Sequence, residues 1–284
     1  MRLLHTSDLH GSLTLYARFL AAAETIRPDV IVLGGDLLPD DSATDPESLG
    51  HGQAAFVRGQ FRKFVSDLRQ RANPKEVFVI FGNHDWGSSP IAMKELEADG
   101  LVRILTSTES HAVDGLHFVG YSYTPPTPWY VKDFERLDMP GDTPPFIGGA
   151  RWNHQFNRPV QHGARMIFDG QPTIQDDMAT LHVPSEPWVF VAHAPPFNSK
   201  LDQSFRNQSF GSRSIRAAIE RHVPLLSLHG HIHESPRVTG EFCEMIGKSL
   251  CVNAGQMTKA VCYAVLEIDV SGGRVTKREH GQHA

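Results

Sequence analysis

Apolar runs of strand length alternate with stretches of helical period along most of the chain. Met1–Thr6, Val30–Leu33 and Val77–Phe81 are nearly continuous apolar stretches, as expected of strands covered on both faces. Between them the period lengthens. Leu13, Tyr16, Phe19, Leu20, Ala23 and Ile26 share one stripe, which predicts a helix capped by Ser12 and stopped before Pro28. A polar, Asp-rich loop running to about Gly52 precedes a second helix over Gln53–Arg71, and Pro90–Ala98 predicts a short third. Strand, polar turn and helix in repetition is the rhythm of an α/β fold.

Further strands are predicted at Leu116–Tyr121, Trp188–Ala192, Leu225–Leu228, Leu250–Asn253 and Val261–Ile268, with a helix over Arg213–His222. Ser122–Pro187 breaks the rhythm, being rich in proline, arginine and aromatic residues. Its one regular expectation is a helix over Thr173–Leu181, capped by Thr173, with Asp176 in the first turn where negative charge suits the dipole. After about Gly273 the polar tail reads as frayed. There is no internal repeat. The whole of 1–284 is read as one domain, with an irregular excursion at about 122–187.

Composition narrows the class. The 284 residues are 40% hydrophobic and 21% charged, ordinary for a globular chain and unlike a disordered segment or a coiled coil. A net charge of −5 supplies no overall field for a nucleic-acid polymer or an anionic membrane. No apolar run reaches the roughly 18 residues of a membrane span, and the immediate N-terminal strand leaves no room for a signal peptide, so a cytoplasmic location is expected. Cys243, Cys251 and Cys262 have neither the spacing of a disulfide framework nor that of a zinc ribbon. The unusual count is 16 histidines.

Several of these histidines stand where predicted strands end. Asp8-x-His10, Gly35-Asp36, Gly82-Asn83-His84-Asp85, His193 and Gly230-His231-x-His233 follow successive apolar runs in that order. Taken singly, each has an ordinary reading as a cap, a turn or a core histidine. Together they decide otherwise, because the carboxyl ends of strands in α/β sheets gather at one edge. If the chain stays extended through Asp8 and His10, both side chains point to one side. The pooled donors are carboxylate, amide oxygen and imidazole without thiolate, a set suited to Mn, Fe, Zn, Ni or Co. They exceed the needs of one ion, so two divalent ions sharing a carboxylate is the economical reading. Asp85 is either a partner that orients His84 or a helix cap.

This ordered set of blocks, D-x-H, G-D, G-N-H-[DE], H and G-H-x-H, resembles the calcineurin-like metallophosphoesterases over roughly residues 1–255. His229–Ser235 with Val252-Asn253-Ala254-Gly255 is most similar to the small Icc-related bacterial and archaeal phosphoesterases, where Asn-Pro-Gly is common in place of Asn253-Ala254-Gly255. The resemblance implies a four-layer αββα sandwich of two mixed sheets with the metal site at the strand edge. It implies that Asp8, His10, Asp36 and His233 hold one ion and that Asp36, Asn83, His193 and His231 hold the other. His84 would then be catalytic without being a ligand, and a hydroxide bridging the metals would attack phosphorus in line. Two ions, two carboxylates and that hydroxide leave a local charge of about +1 for a small phosphate ester. Pro39 stands where purple acid phosphatases carry a metal-bound tyrosine, and Asp36-Leu37-Leu38 replaces the Asp-Arg-Gly of Ser/Thr protein phosphatases.

The expected activity is therefore hydrolysis of phosphate esters, with diesters of nucleotide or cyclic nucleotide type preferred. The alternatives are a phosphomonoesterase, a nucleotide pyrophosphohydrolase, or a non-catalytic scaffold on the same fold. Substrate selection is expected from 122–187, where Trp129, Tyr130, Trp152 and Phe156 offer stacking faces and Arg136, Arg151, Arg158 and Arg165 offer phosphate clamps. The competing reading gives those aromatics to a small core of the excursion itself. His229 is the remaining histidine of interest, one residue before Gly230. Oligomeric state is not legible in the sequence.

Overall fold

Each apolar run becomes a strand, and the alternation of side chains along it feeds two different cores. The computed structural model describes residues 1–40, 50–185 and 187–283. Positions 41–49, most of the predicted Asp-rich loop, lie outside the described residues. The first half runs β1 (Arg2–Thr6), α1 (Leu13–Ile26), β2 (Val30–Gly34), α2 (His51–Phe56), α3 (Arg62–Asp67), β3 (Glu76–Ile80), α4 (Ser89–Ala98), β4 (Arg103–Ile104), β5 (His111–Val113) and β6 (Leu116–Tyr121). There follow β7 (Gly148–Asn153), β8 (Arg158–Gly163), α5 (Ala164–Phe168), α6 (Ile174–Ala179), β9 (Trp188–Ala192), α7 (Arg213–His222) and β10 (Leu226–His229). The chain closes with α8 (Ser235–Thr239), β11 (Cys243–Ile246), β12 (Ser249–Asn253), β13 (Val261–Asp269) and β14 (Arg274–His283).

One sheet has the order β14-β13-β1-β2-β3-β4, the other β11-β12-β10-β9-β6-β5, and β7-β8 is a separate hairpin. Strands β1, β2, β3 and β4 are parallel, with antiparallel β13 and β14 on one side, and β6, β9, β10 and β12 are parallel, with antiparallel β5 and β11 at either edge. Alternate residues of the first sheet, such as Leu3, Val30, Val32, Phe78 and Ile80, pack against Phe118, Val189, Val191, Leu226 and Leu228 of the second. The other faces meet helices: Leu4, Ile31 and Val79 pack with Phe19, Phe61 and Leu68, while Phe190 and Val119 pack with Ile174, Ile215 and Ile219. The result is the expected αββα sandwich, and it explains why these strands read as continuous apolar runs. His5 spans the sheets, its ring nitrogens 3.2 Å from the Val32 carbonyl oxygen and 2.9 Å from that of His229, with burial pushing its pKa down.

Two expectations change. The helix expected over Gln53–Arg71 is a continuous helical path in which α2 and α3 alternate with π-helical turns at Val57–Phe61 and Leu68–Ala72. The wider turns leave Val57, Phe61, Phe64, Val65 and Leu68 all buried, so the apolar face continues through them. The tail after Gly273 is ordered as β14, paired antiparallel with β13 from Val261↔His283 to Asp269↔Arg274. It forms a sheet edge, where charged side chains are favoured and an apolar alternation is not required. Among the described residues, no helix is long and apolar enough to cross a membrane.

The excursion carries more structure than its sequence suggested. Thr173 caps α6 in a reciprocal box with Asp176, as the sequence indicated. Trp86, Val131, Ala150 and Trp152 form a small core with Trp129 packed against it. Beneath lies a fully buried ion pair, Lys132 Nζ to Glu135 Oε2 at 2.8 Å. Lys132 also donates to the Thr127 carbonyl at 2.7 Å, and the Thr127 hydroxyl donates to Glu135 Oε1 at 2.5 Å. Burial pushes the Lys132 amine down and the Glu135 carboxyl up to about 7, so the pair exists only because each supplies the other's counter-charge. Replacing Lys132 by Met should cost about 3–5 kcal/mol by stranding Glu135. The double variant Lys132→Met/Glu135→Leu should recover most of the loss; thermal melting of the three proteins checks this, and equal losses in single and double variants would refute it.

Candidate metal centre

The carboxyl ends of β1, β2 and β3 from one sheet and β9 and β10 from the other meet at one edge, where each strand passes into a polar turn. The turns after β1 and β2 are laced together through the backbone, with Asp8 N donating to Gly35 O at 2.9 Å, His10 N to Asp36 O at 3.0 Å and Gly11 N to Leu37 O at 2.8 Å. An extended chain through Asp8 and His10 was the expectation. Instead the backbone is left-handed at both, with φ of 59° and 44°, and again at Asp36 (50°) and His231 (69°). Side chains with a Cβ resist that region, so four such residues at one edge mark local strain held by the surrounding fold. The tight turns, rather than strand alternation, aim these side chains at a common point.

Two clusters result. Asp8, His10 and His233 bring one ligand atom each to within 4.8 Å of one another, as do Asp36, His193 and His231. A third grouping of the same dimension, His10, Asp36 and His84, joins them. His233 Nε2 lies 3.2 Å from Asp8 Oδ1 and 3.2 Å from His10 Nε2, while His193 Nε2 lies 3.2 Å from Asp36 Oδ2. His193 Nδ1 donates to the Gly34 carbonyl at 2.7 Å, and His10 Nδ1 donates to Asp40 Oδ1 at 3.3 Å. Each bond fixes the tautomer that turns the Nε2 lone pair inward. Every residue named from the sequence as a ligand is therefore present at this edge, including Asn83.

Several observations test whether ions fit here. Asn83 Oδ1 is buried without any hydrogen-bond partner, although buried polar atoms are nearly always satisfied. Asp8 and Asp36 are each 1% exposed, so two carboxylates lie side by side out of water. Burial opposes their ionisation, yet His233 and His193 beside Asp8, and His193 and His84 beside Asp36, hold both carboxyls below their usual range. Burial likewise works against a charged His193, but the Asp36 carboxylate lifts that imidazole to about 9. Divalent cations at this edge would compensate the two buried carboxylates, with the imidazoles binding them as neutral ligands. The donor set, the orphaned oxygen and the inward lone pairs fit two divalent ions.

Glycine keeps the space open. A Cβ on Gly82 would collide with Asp36 Oδ1 and stand 2.5 Å from His193 Nε2, and one on Gly230 would collide with Ser7 Oγ and stand 2.6 Å from Asp8 Oδ2. Gly35 combines a φ of 95° with a Cβ position 2.6 Å from His193 Nδ1.

His84 stands at the rim, its backbone N–H donating to Asp36 Oδ1 at 2.8 Å and its side chain 20% exposed. Its ring is held by Asp40, which accepts from Nδ1 at 2.7 Å, and by Trp129, stacked at 4.2 Å between centroids and 18° between planes. The orienting role considered for Asp85 belongs to Asp40. Asp85 accepts from Gly82 N at 2.9 Å and Leu38 N at 3.4 Å, joining the turns after β2 and β3, and burial with the nearby Asp36 charge raises its pKa to about 7. No motif in the sequence marked Asp40, whose meaning comes only from contact with two histidines. His229 does not face the clusters; its Nδ1 is shared by the Ala192 and Ala194 carbonyls and its Nε2 meets Ser227 Oγ at 2.9 Å.

The excursion contributes Trp129 but few phosphate clamps. Arg136 is bound to Asp177 and lies over the Tyr123 ring, and Arg151 donates to the Lys132 and Glu135 carbonyls at 3.0 and 3.1 Å. Arg158 and Arg165 are exposed on β8 and α5. Trp152 is a core residue, and Tyr130 and Phe156 are partly exposed. A groove of about 620 Å³ opens beside Asp8, His10, His84 and His233, and its far wall comes from residues the sequence had not singled out, among them Phe205, Arg237 and Lys259.

A sequence model described as "calcineurin-like phosphoesterase" matches residues 1–235. One solved crystal structure superposes with a TM-score of 0.65 at 15% identity, covering 100% of this chain and 99% of its own. The crystal structure of TT1561 of Thermus thermophilus gives 0.59 at 18% identity, covering 99% and 97%. At these identities the likeness establishes the fold. No curated protein matches the sequence.

Gly82→Ala should leave the fold intact and lower metal affinity by about tenfold or more, because the added methyl displaces Asp36 and His193 together. Metal content after dialysis, beside circular dichroism, checks this; unchanged metal content would show that Gly82 does not guard the site.

Proposed function

This chain belongs to the calcineurin-like phosphoesterase family, the metal-dependent phosphoesterases, and from that premise we propose that it hydrolyses phosphodiesters at a site holding two divalent ions. The observation that carries the reading is the adjacency of the two clusters, with Asp36 shared between the groupings and a buried, unpartnered Asn83 oxygen on the neighbouring turn after β3. Asp8, His10, Asp36 and His233 would hold one ion and Asp36, Asn83, His193 and His231 the other, drawn from Mn, Fe, Zn, Ni or Co. When bound, the ions supply the positive charge that attracts a phosphate and acidify a water for attack on phosphorus.

The protein's own groups do the rest. Asn83 coordinates without adding negative charge, which keeps the local balance near +1, suited to a diester monoanion more than to a monoester dianion. The groove beside the clusters gives room for the second ester substituent that a diester carries. His84 faces the same groove, with Nδ1 committed to Asp40, so Nε2 is the nitrogen available to contact the phosphate or protonate the leaving oxygen. Asp40 holds the ring's orientation through Nδ1, and Trp129 limits its swing. We read 1–284 as a single metallophosphoesterase domain in which the excursion at about 122–187 acts on the chemistry through Trp129.

His84→Ala should lower kcat on a bis-aryl phosphodiester by about 10²–10⁴-fold while metal content stays near that of the parent. Asp40→Asn should lose less, and Asp36→Asn should lose metal and activity together. These are read by hydrolysis of the diester and the matching aryl monoester after stripping metal and adding back single ions. Metal-independent turnover, or equal loss of metal in His84→Ala and Asp36→Asn, would sink the assignment.

A further inference from the structure

The groove beside the clusters has two walls of different chemistry. One wall is formed by Asp8, His10, Asp40, His84 and His233, where the scissile phosphate would sit. The other carries two cations, Arg237 from α8 and Lys259 from the turn before β13, against one carboxylate, Glu234. Both cations are exposed, and among the described residues neither side chain makes a hydrogen bond or ion pair. Arg237 has an aromatic neighbour: its guanidinium lies 5.1 Å from the centroid of Phe205, which is 65% exposed. A cation held against a ring keeps its planar fork oriented while leaving its donors free.

A substrate with one phosphate satisfies the metal clusters and leaves Arg237 and Lys259 unmatched across the groove. We propose that the groove is a second anion subsite, and that the preferred substrates are phosphodiesters carrying a further phosphate group on one ester substituent. This rests on the phosphodiesterase reading and sharpens it. A cyclic mononucleotide, with its single phosphate, lacks the group that this wall recognises. Arg237 presents a bidentate fork to the second phosphate and Lys259 a point charge, while Phe205 offers an apolar face to whatever links the two phosphates. Because the pair is solvent-exposed, its contribution falls as salt rises and appears in KM more than in kcat.

The test uses thymidine 5′-(4-nitrophenyl phosphate) and the same ester bearing a 3′-phosphate, with the metal-loaded full chain and the double variant Arg237→Gln/Lys259→Gln. The parent should favour the 3′-phosphorylated ester by about three- to tenfold in kcat/KM, through KM and chiefly at low salt. The double variant should lose that preference while keeping its metal content and its rate on the plain ester. Equal use of both esters by the parent, or a preference that survives in the variant, overturns the subsite and leaves the phosphodiesterase reading standing. If neither ester is cleaved, that reading falls and calorimetry with thymidine 3′,5′-bisphosphate decides the subsite separately. Binding weakened by the double variant supports it, with or without added metal; binding absent, or equal in the two proteins, overturns it.

Discussion

Two carboxylates buried side by side govern this structure. Asp8 and Asp36 end adjacent parallel strands and are almost wholly removed from water, where like charges repel and solvation is lost. Such an arrangement persists only if positive charge is delivered from elsewhere in the chain. His233 and His193 deliver it, and both come from strand ends of the opposite sheet. Facing the two sheets with their parallel strands ending at one edge is thus what makes the buried pair tolerable, and the pair gives that edge its reason. Gly82 and Gly230 follow from the same crowding, since no side chain fits between the carboxylates and the imidazoles that neutralise them.

What the sequence disclosed and what it concealed divide along this line. Residues delivered by strand ends were legible, because an apolar run followed by Asp, Asn or His is a local pattern and the order of patterns is informative. Asp8, His10, Asp36, His84, His193, His231 and His233 converge in overlapping groups, and Asn83 is buried in the turn after β3. Asp40 was not legible, because its role depends on reaching two rings from a turn with no marked pattern. The conformation of Asp8 and His10 was misjudged for a related reason: two-residue spacing suggests a strand, whereas hydrogen bonds to the neighbouring turn impose left-handed φ values. The edge strand β14 was missed because pairing on one side only does not require apolar side chains, so the residues look like a tail.

The excursion shows how an irregular sequence can still be rigid. Its prolines and arginines suggested a surface loop, yet Arg136 and Arg151 are consumed in holding it together and Lys132 with Glu135 forms an ion pair entirely out of water. A buried pair of this kind adds little net stability over apolar packing, but leaving either partner unpaired out of water is costly. The Thr127 carbonyl and hydroxyl both join the pair, and the Thr127 hydroxyl also accepts from Trp129 N at 3.2 Å. The indole stacked on His84 is therefore fixed by contacts that begin in this buried charge.

This arrangement places substrate recognition and the orienting of His84 on other residues than the sequence suggested, which were the 122–187 excursion and Asp85. The proton-transfer role proposed for His84 requires one ring geometry, and Trp129 and Asp40 restrict His84 from two sides. Recognition of a variable ester substituent asks for the opposite, exposed side chains whose partners are left open. Arg237, Lys259 and Phe205 answer that description, and they come from the C-terminal turns of the second sheet rather than from the excursion. Specificity can then change through those turns without disturbing the buried carboxylates, because no hydrogen bond or ion pair among the described residues joins the side chains of Arg237 and Lys259 to the clusters.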